Sequence, residues 1–244
     1  MQMPPPPVST SVSRPGSARL PQGLAVAVAI GLAIHVATAV LVLDGGRTIW
    51  PAAATFLLGA AIVAEGMRRH YPHDRVGACN IVTLVRLALS LALLAPLAGG
   101  AAAGWMVAAV AGVALTLDGV DGFLARRSGL VSDFGGRFDM EVDAALALVL
   151  ALHALAAGPL GPEVLVLGVM RYAFVAGGAI WPWIRAPLPP SFARKTVCVL
   201  QLAALITLQL PPLPPEAATL LARLAALALA WSFGRDLLWL WRHR

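Results

Sequence analysis

Stretches of about 20 apolar residues recur along most of this chain, separated by short polar breaks. A run of that length is what an α-helix needs to cross the roughly 30 Å hydrocarbon core of a bilayer. The pattern predicts spans over residues 24–43, 50–67, 81–97, 104–124, 138–155, 164–183, 197–210 and 217–240, about eight helices. The breaks hold residues that end helices: Asp44-Gly45-Gly46, Gly99-Gly100, Gly158-Pro159, Pro187 through Pro190 and Pro211 through Pro215. Long unalternated Ala, Leu and Val runs exclude the dyad repeat of an outer-membrane barrel. The fold class that follows is all-α, a polytopic membrane helical bundle.

Residues 1–22 stand outside this pattern, with four consecutive prolines, several serines and the isolated charges Arg14 and Arg19. Such a segment cannot bury enough apolar surface to fold, so a disordered tail is expected. The run 24–43 is longer than a signal-peptide core and lacks a small-residue cleavage site, which predicts a permanent anchor.

Composition agrees with the pattern. The 244 residues are 59% hydrophobic and 12% charged, with mean hydropathy +0.80, which excludes a large water-soluble second domain. The net charge of +6 comes from 18 Lys and Arg, all Arg except Lys195, against 12 Asp and Glu. In a bilayer protein this excess is an orientation signal, and nucleic acid is set aside as a partner. One set of connections carries Arg68, Arg69 and Arg75, then Arg126 and Arg127, then Arg185, Arg194 and Lys195, then Arg242 and Arg244; the opposite set has Arg47 alone. Both termini are therefore expected in the cytoplasm, as an even number of spans requires. Cys79 and Cys198 are too few and too far apart for a disulfide framework or a zinc site.

The chemistry concentrates in residues 118–143, DGVDGFLARRSGLVSDFGGRFDMEVD, where five Asp and one Glu fall within 26 residues. A carboxylate at the centre of a spanning helix costs roughly 2.5–3.5 kcal/mol on insertion, so this cluster needs something to stabilise it. Asp118 and Asp121 lie three apart at the end of one span, Asp139 and Asp143 four apart near the start of the next. Each pair shares a helix face. With residues 127–134 as a short connecting loop, the two helices are antiparallel neighbours and the four carboxylates converge. Oxygen ligands without His or Cys suit a hard divalent cation, Mg²⁺ or Mn²⁺, bound as a pair. Gly122 and Gly135 let a phosphate, nucleotide or metal approach the backbone, and Arg126 offers a phosphate a fixed cationic fork. The blander reading is a solvated acidic loop, or ion pairs with Arg126, Arg127 and Arg137. Asp133 and Glu141 fall to solvent or supporting duty.

The order Asp118, Asp121-Gly122, Ala125-Arg126, Gly135, Asp139, Asp143, with two, two, eight, three and three intervening residues, resembles the signature of the CDP-alcohol phosphotransferases (CDP-alcohol phosphatidyltransferases), all fixed positions filled. The stretch Asn80-Ile81-Val82-Thr83-Leu84-Val85-Arg86 is similar, more weakly, to the opening of that family's first core helix. The resemblance implies a six-helix core over 79–244, preceded by a tail over 1–22 and two extra helices over 23–78. It implies a homodimer in the bacterial-type inner membrane, active site on the cytoplasmic side, that uses two Mg²⁺ or Mn²⁺ ions in phospholipid synthesis. The phosphoalcohol group of a CDP-alcohol, CDP-diacylglycerol foremost, passes to a hydroxyl acceptor and CMP is released. By the same resemblance Asp118, Asp121 and Asp139 are metal ligands. Asp143 is the general base, also touching metal, and Gly122, Ala125, Arg126 and Gly135 form the cytidine-nucleotide site. The expected mechanism is direct in-line attack, since no extra nucleophile is evident.

Arg171 falls midway along its span, where an unpaired guanidinium is costly, so it is expected either to face the polar cavity and bind a substrate phosphate or to pair with a motif carboxylate. Arg194 and Lys195 are candidate acceptor-phosphate ligands or, with Arg185, lipid-headgroup contacts. The abundance of Arg favours a phosphorylated polyol acceptor such as glycerol 3-phosphate or inositol phosphate. Trp181, Trp183, Trp239 and Trp241 fit an interfacial belt better than an aromatic cage. His35 reads as a packed polar residue. The competing function is a transporter or channel with an acidic cation site, which expects carboxylates near the midplane on broken helices.

Overall fold

A computed structural model describes residues 20–43, 49–100, 104–128, 130–158 and 160–244. Its helices are α1 (Leu24–Ala37), α2 (Ile49–His70), α3 (Ala78–Ala92), α4 (Leu94–Ala98), α5 (Trp105–Ser128), α6 (Asp133–Ala156), α7 (Val166–Ile180), α8 (Phe192–Thr207) and α9 (Pro215–Arg242). A π-helical turn, Thr38–Val42, prolongs α1, and 3-10 turns at Pro162–Leu165 and Pro182–Arg185 flank α7. No strand forms among the described residues, and the rods fall where the apolar runs placed them. Leu24–Val42, Ala78–Ala98, Pro162–Ile180 and Pro215–Arg242 are long and apolar enough to cross a membrane. In α2, α5, α6 and α8 an apolar stretch is joined to charged turns. Because successive rods reverse direction, those turns gather at one end of the bundle, the basic end.

Of the expected tail, residues 1–19 lie outside the described residues. Gln22, at its close, is docked: its N–H donates to Asp74 O at 2.7 Å and its carbonyl accepts from Val76 N at 3.1 Å. That pairing pins the start of α1 beside the link from α2 to α3.

The central element is α3, whose span is 61% buried against 22–28% for the other three long apolar rods. It ends at Leu93 because Pro96 lacks an N–H and its ring conflicts with the carbonyl four residues earlier. The Leu93 carbonyl, at the N-cap of α4, accepts a hydrogen bond from His153 Nε2 of α6 at 2.7 Å, which ties the break to α6. His35 does the same on α1, Nδ1 donating to Ala88 O at 2.9 Å, which bears out its reading as a packed polar residue. Between α6 and α7 a Cβ on Gly168 would lie 2.7 Å from Leu148 Cα, so only glycine permits that approach.

The connection from α5 to α6 is shorter than expected. Polar residues beyond 124 stay helical to Ser128, and α6 starts at Asp133, where Ser132 Oγ caps it by accepting from Gly135 N at 3.0 Å. Hydropathy ended the helices where apolar residues ended; the backbone continued into water on capping and helix propensity.

Candidate active site

The apposition of α3, α5 and α6 brings three carboxylates together. Asp118 of α5 and Asp139 and Asp143 of α6 each offer an oxygen within 4.8 Å of the others. Their side chains are 28–34% exposed, open on one side. Arg86 of α3 rises beneath them with 0% exposure. Its Nε donates to Ala114 O of α5 at 3.1 Å, Nη1 to Asp139 Oδ1 and Nη2 to Asp143 Oδ1, and Nη1 also forms an ion pair with Asp118 Oδ1 at 2.9 Å. One planar guanidinium thus ties three helices to one point, a task its fixed fork suits and a flexible ammonium does not.

The cluster is set inside the bundle. Arg86 lies eight residues from the start of α3 and Asp118 ten before the end of α5, depths of about 12 and 15 Å from those helix ends. The carboxylates therefore lie two to three turns from those ends, and at 28–34% exposure they remain accessible.

The remaining signature residues sit around this cluster. Helix α5 runs on through 121, 125 and 126, which puts 121 about one turn beyond Asp118; the side chains of Asp121, Ala125 and Arg126 lie outside the described residues. Gly122 is half-buried on that helix. A Cβ on Gly135 would come within 2.9 Å of Asn80 Oδ1, so the missing side chain lets the capped start of α6 close on α3. Asn80 is itself buried, its Nδ2 donating to Tyr71 Oη at 3.2 Å, and the same phenol accepts from Gly77 N at 3.0 Å. Asn80, Thr83 and Arg86, three residues apart, share the buried face of α3.

The basic residues assigned to substrates are placed less centrally. Arg171 Nη2 binds Glu141, which is not a signature carboxylate. Arg194 Nη1 binds Asp236 Oδ2 of α9 at 2.9 Å, while Nη2 donates to Pro189 O at 2.7 Å. Lys195 is exposed. Cys198 on α8 lies within electrostatic range of Asp143 and Asp118 and of Arg194 and Arg171, so acidic cluster and basic rim border one region. Both cysteines are free thiols.

Sequence reasoning left Arg86 out of the site. The signal was present: a guanidinium within an apolar span needs a partner, the argument that singled out Arg171. Pairing with Arg127 or Arg137 does not occur among the described residues, where Arg86 takes that role.

This donor set fits a divalent cation. Three carboxylates converge within 4.8 Å, and every donor is a hard oxygen. The description of the CDP-alcohol phosphatidyltransferase family matches residues 77–234, well over half the chain. The chain belongs to this family. No curated protein and no solved structure matches it. Membership makes it a membrane transferase that moves a phosphoalcohol group from a CDP-alcohol to a hydroxyl acceptor. The matched region contains the whole acidic cluster and Arg86, while α1 and α2 precede it.

Proposed function

We propose that this protein transfers a phosphatidyl group from CDP-diacylglycerol to a phosphorylated polyol, such as glycerol 3-phosphate or inositol phosphate, and releases CMP. The observation that carries the reading is the convergence of Asp118, Asp139 and Asp143, three hard-oxygen donors within 4.8 Å of one another above a buried arginine. Asp118, Asp121, Asp139 and Asp143 are assigned as ligands of two Mg²⁺ or Mn²⁺ ions. When bound, such ions neutralise phosphoryl oxygens and the departing phosphate of CMP.

The chain's own groups do the rest. Gly122, Ala125, Arg126 and Gly135 hold the cytidine nucleotide along α5 and the start of α6. Asp143 accepts the proton of the acceptor hydroxyl as its oxygen bonds to the phosphorus of the donor alcohol's phosphate. The bond from that phosphorus to the CMP oxygen breaks on the opposite side, in line. Arg171, Arg194 and Lys195 hold the acceptor phosphate at the rim.

The basic end faces the cytoplasm of an inner membrane by the asymmetry of Lys and Arg. Residues 79–244 form the catalytic core of a homodimer, with 1–22 as a tail and 23–78 as an added helix pair. A cation-transport reading lacks support, because α5 and α6 run unbroken past the carboxylates.

The test is CMP release by purified protein with CDP-diacylglycerol, Mg²⁺ or Mn²⁺ and a panel of acceptors, beside Asp143→Asn and a chelator control. Acceptor-dependent release, lost in both controls, is expected. Release that persists in Asp143→Asn, or without divalent cation, overturns the assignment.

A further inference from the structure

A cavity lies away from the carboxylates, on a different face of α6. It is a groove of about 720 Å³ between α2 and α6, floored by Leu87 of α3. That volume lies within the range of ligand pockets, roughly 300–1,000 Å³. Its walls are Ile62 and Val63 of α2 and Phe134, Phe138 and Val142 of α6. On α6 those wall positions point away from the side bearing Asp139 and Asp143, so the groove is separate from the carboxylate cluster. Two glycines shape it. A Cβ on Gly66 would lie 2.6 Å from Phe134 Cε2, and one on Gly59 would meet Leu91 Cδ1 at 3.3 Å, so glycine lets α2 lean close while the walls between stay open.

The groove has a direction. Its apolar part starts near Gly59, and its other end, at the last turn of α2 and the first turns of α6, carries Arg69 and Arg137. Its apolar wall, residues 59 to 66, rises about 10 Å, and the charged turn adds about 6 Å, so the whole groove spans about half of a roughly 30 Å hydrocarbon core. The apolar part thus reaches most of the way into one leaflet from a charged end at headgroup level. Ile62 is 66% exposed, so the groove is open laterally.

The charges at the mouth favour a phosphate. Glu141 is engaged by Arg171, and Asp133 sits in the first turn of α6, where the helix N-terminus offsets its charge. Arg69 is shared with Glu65, whereas Arg137 is exposed and makes no ion pair among the described residues.

We propose that this groove binds an anionic membrane phospholipid, one acyl chain along Ile62, Leu87, Phe138 and Val142 and the phosphate against Arg137. The wall supplied by α2 lies before the region shared with the family, so the site belongs to this chain's added helix pair. It does not depend on the proposed reaction, since lipid retention is read without turnover.

The experiment is native mass spectrometry of the full-length protein released from nanodiscs containing phosphatidylglycerol and phosphatidylcholine. The wild type is expected to retain one phosphatidylglycerol. Filling the groove from its exposed wall with Ile62→Trp removes that adduct, and Arg137→Gln lowers the preference for phosphatidylglycerol about five-fold, the effect of one cationic side chain at an anionic surface. A phosphatidylglycerol with a photoactivatable acyl chain, applied to the wild type, should label residues 59–66 or 138–142, which tests the site without any variant. Labelling only elsewhere, an adduct unaffected by Ile62→Trp, or an altered oligomer mass in its place, which would put a second copy of the chain in the groove, overturns the proposal.

Discussion

The same three helices meet in two ways along their length. Toward the basic end α3, α5 and α6 are held by charge, a fully buried arginine gripping three partly exposed carboxylates. Toward the other end they are held by small apolar side chains: Ala92 of α3, Ala111 of α5 and Ala151 of α6 are all 0% exposed. Alanines without rotamer freedom bring backbones close at little entropic cost and leave no cavity. That end fixes the helix positions; the charged end can then stay open to solvent and substrate without losing its geometry. Stability and reactivity occupy different lengths of the same rods.

The largest expected effect falls at the open end and touches chemistry alone. Asp143→Asn keeps the shape of the side chain and its contact with Arg86 but removes the proton acceptor. Positioned general bases contribute about 10²–10⁴-fold. CMP release should fall by about 10³-fold with melting temperature little changed, measured by single-turnover kinetics and calorimetry. A large loss of stability with modest loss of turnover would reverse the division between the two ends.

Arg86→Gln should show that the arginine and a divalent cation stabilise the same carboxylates. Removing one partner of a buried ion pair costs about 3–5 kcal/mol, here by leaving three carboxylates facing one another. A divalent cation then supplies the missing charge, and binding to the folded state alone raises stability by mass action. The rise in melting temperature on adding Mg²⁺ should be larger in Arg86→Gln than in the wild type, and Arg86→Lys should fall between them. Equal rises would separate the guanidinium from the metal site.

How much of this the sequence disclosed follows from what sets each feature. The helices were legible because a bilayer imposes a length that apolar composition records, and four of them are long and apolar enough to cross one. The carboxylates were legible because charge in such helices is rare and their spacing placed them on one face each. The overshoot of α5 to Ser128 was not, since hydropathy is silent about helix that continues into water. Nor were the partners of the arginines: Arg86 meets carboxylates more than 50 residues away, and Arg194 meets Asp236, 42 residues on. Pairing at that distance depends on how helices turn their faces, which the packing of Ala88, Ala92 and Ala111 decides and no local pattern states.

At the apolar end the corresponding test is His153→Leu. Its Nε2 donates a second hydrogen bond to the Leu93 carbonyl, which also opens α4, so leucine keeps volume and removes one buried bond between α6 and the break in α3. That costs about 1 kcal/mol, read as a lower denaturation midpoint in detergent, with turnover per folded molecule unchanged. A loss of turnover beyond the loss of folded protein would mean the apolar end also tunes the reacting geometry.

The smallest effect is expected at Glu141. Its carboxylate is 48% exposed and Arg171 29%, so the pair is largely screened and Glu141→Gln should change stability by no more than about 1 kcal/mol. Its consequence should lie in binding. If Arg171 holds the acceptor phosphate, Glu141 competes for the same guanidinium, and removing its charge should lower the KM for a phosphorylated acceptor two- to three-fold while kcat stays constant. Arg171→Gln should raise that KM, again at constant kcat, because a group that binds ground state and transition state alike acts on KM alone. An unchanged KM in both variants would assign the pair to joining α6 and α7, and the acceptor phosphate would then fall to Arg194 and Lys195.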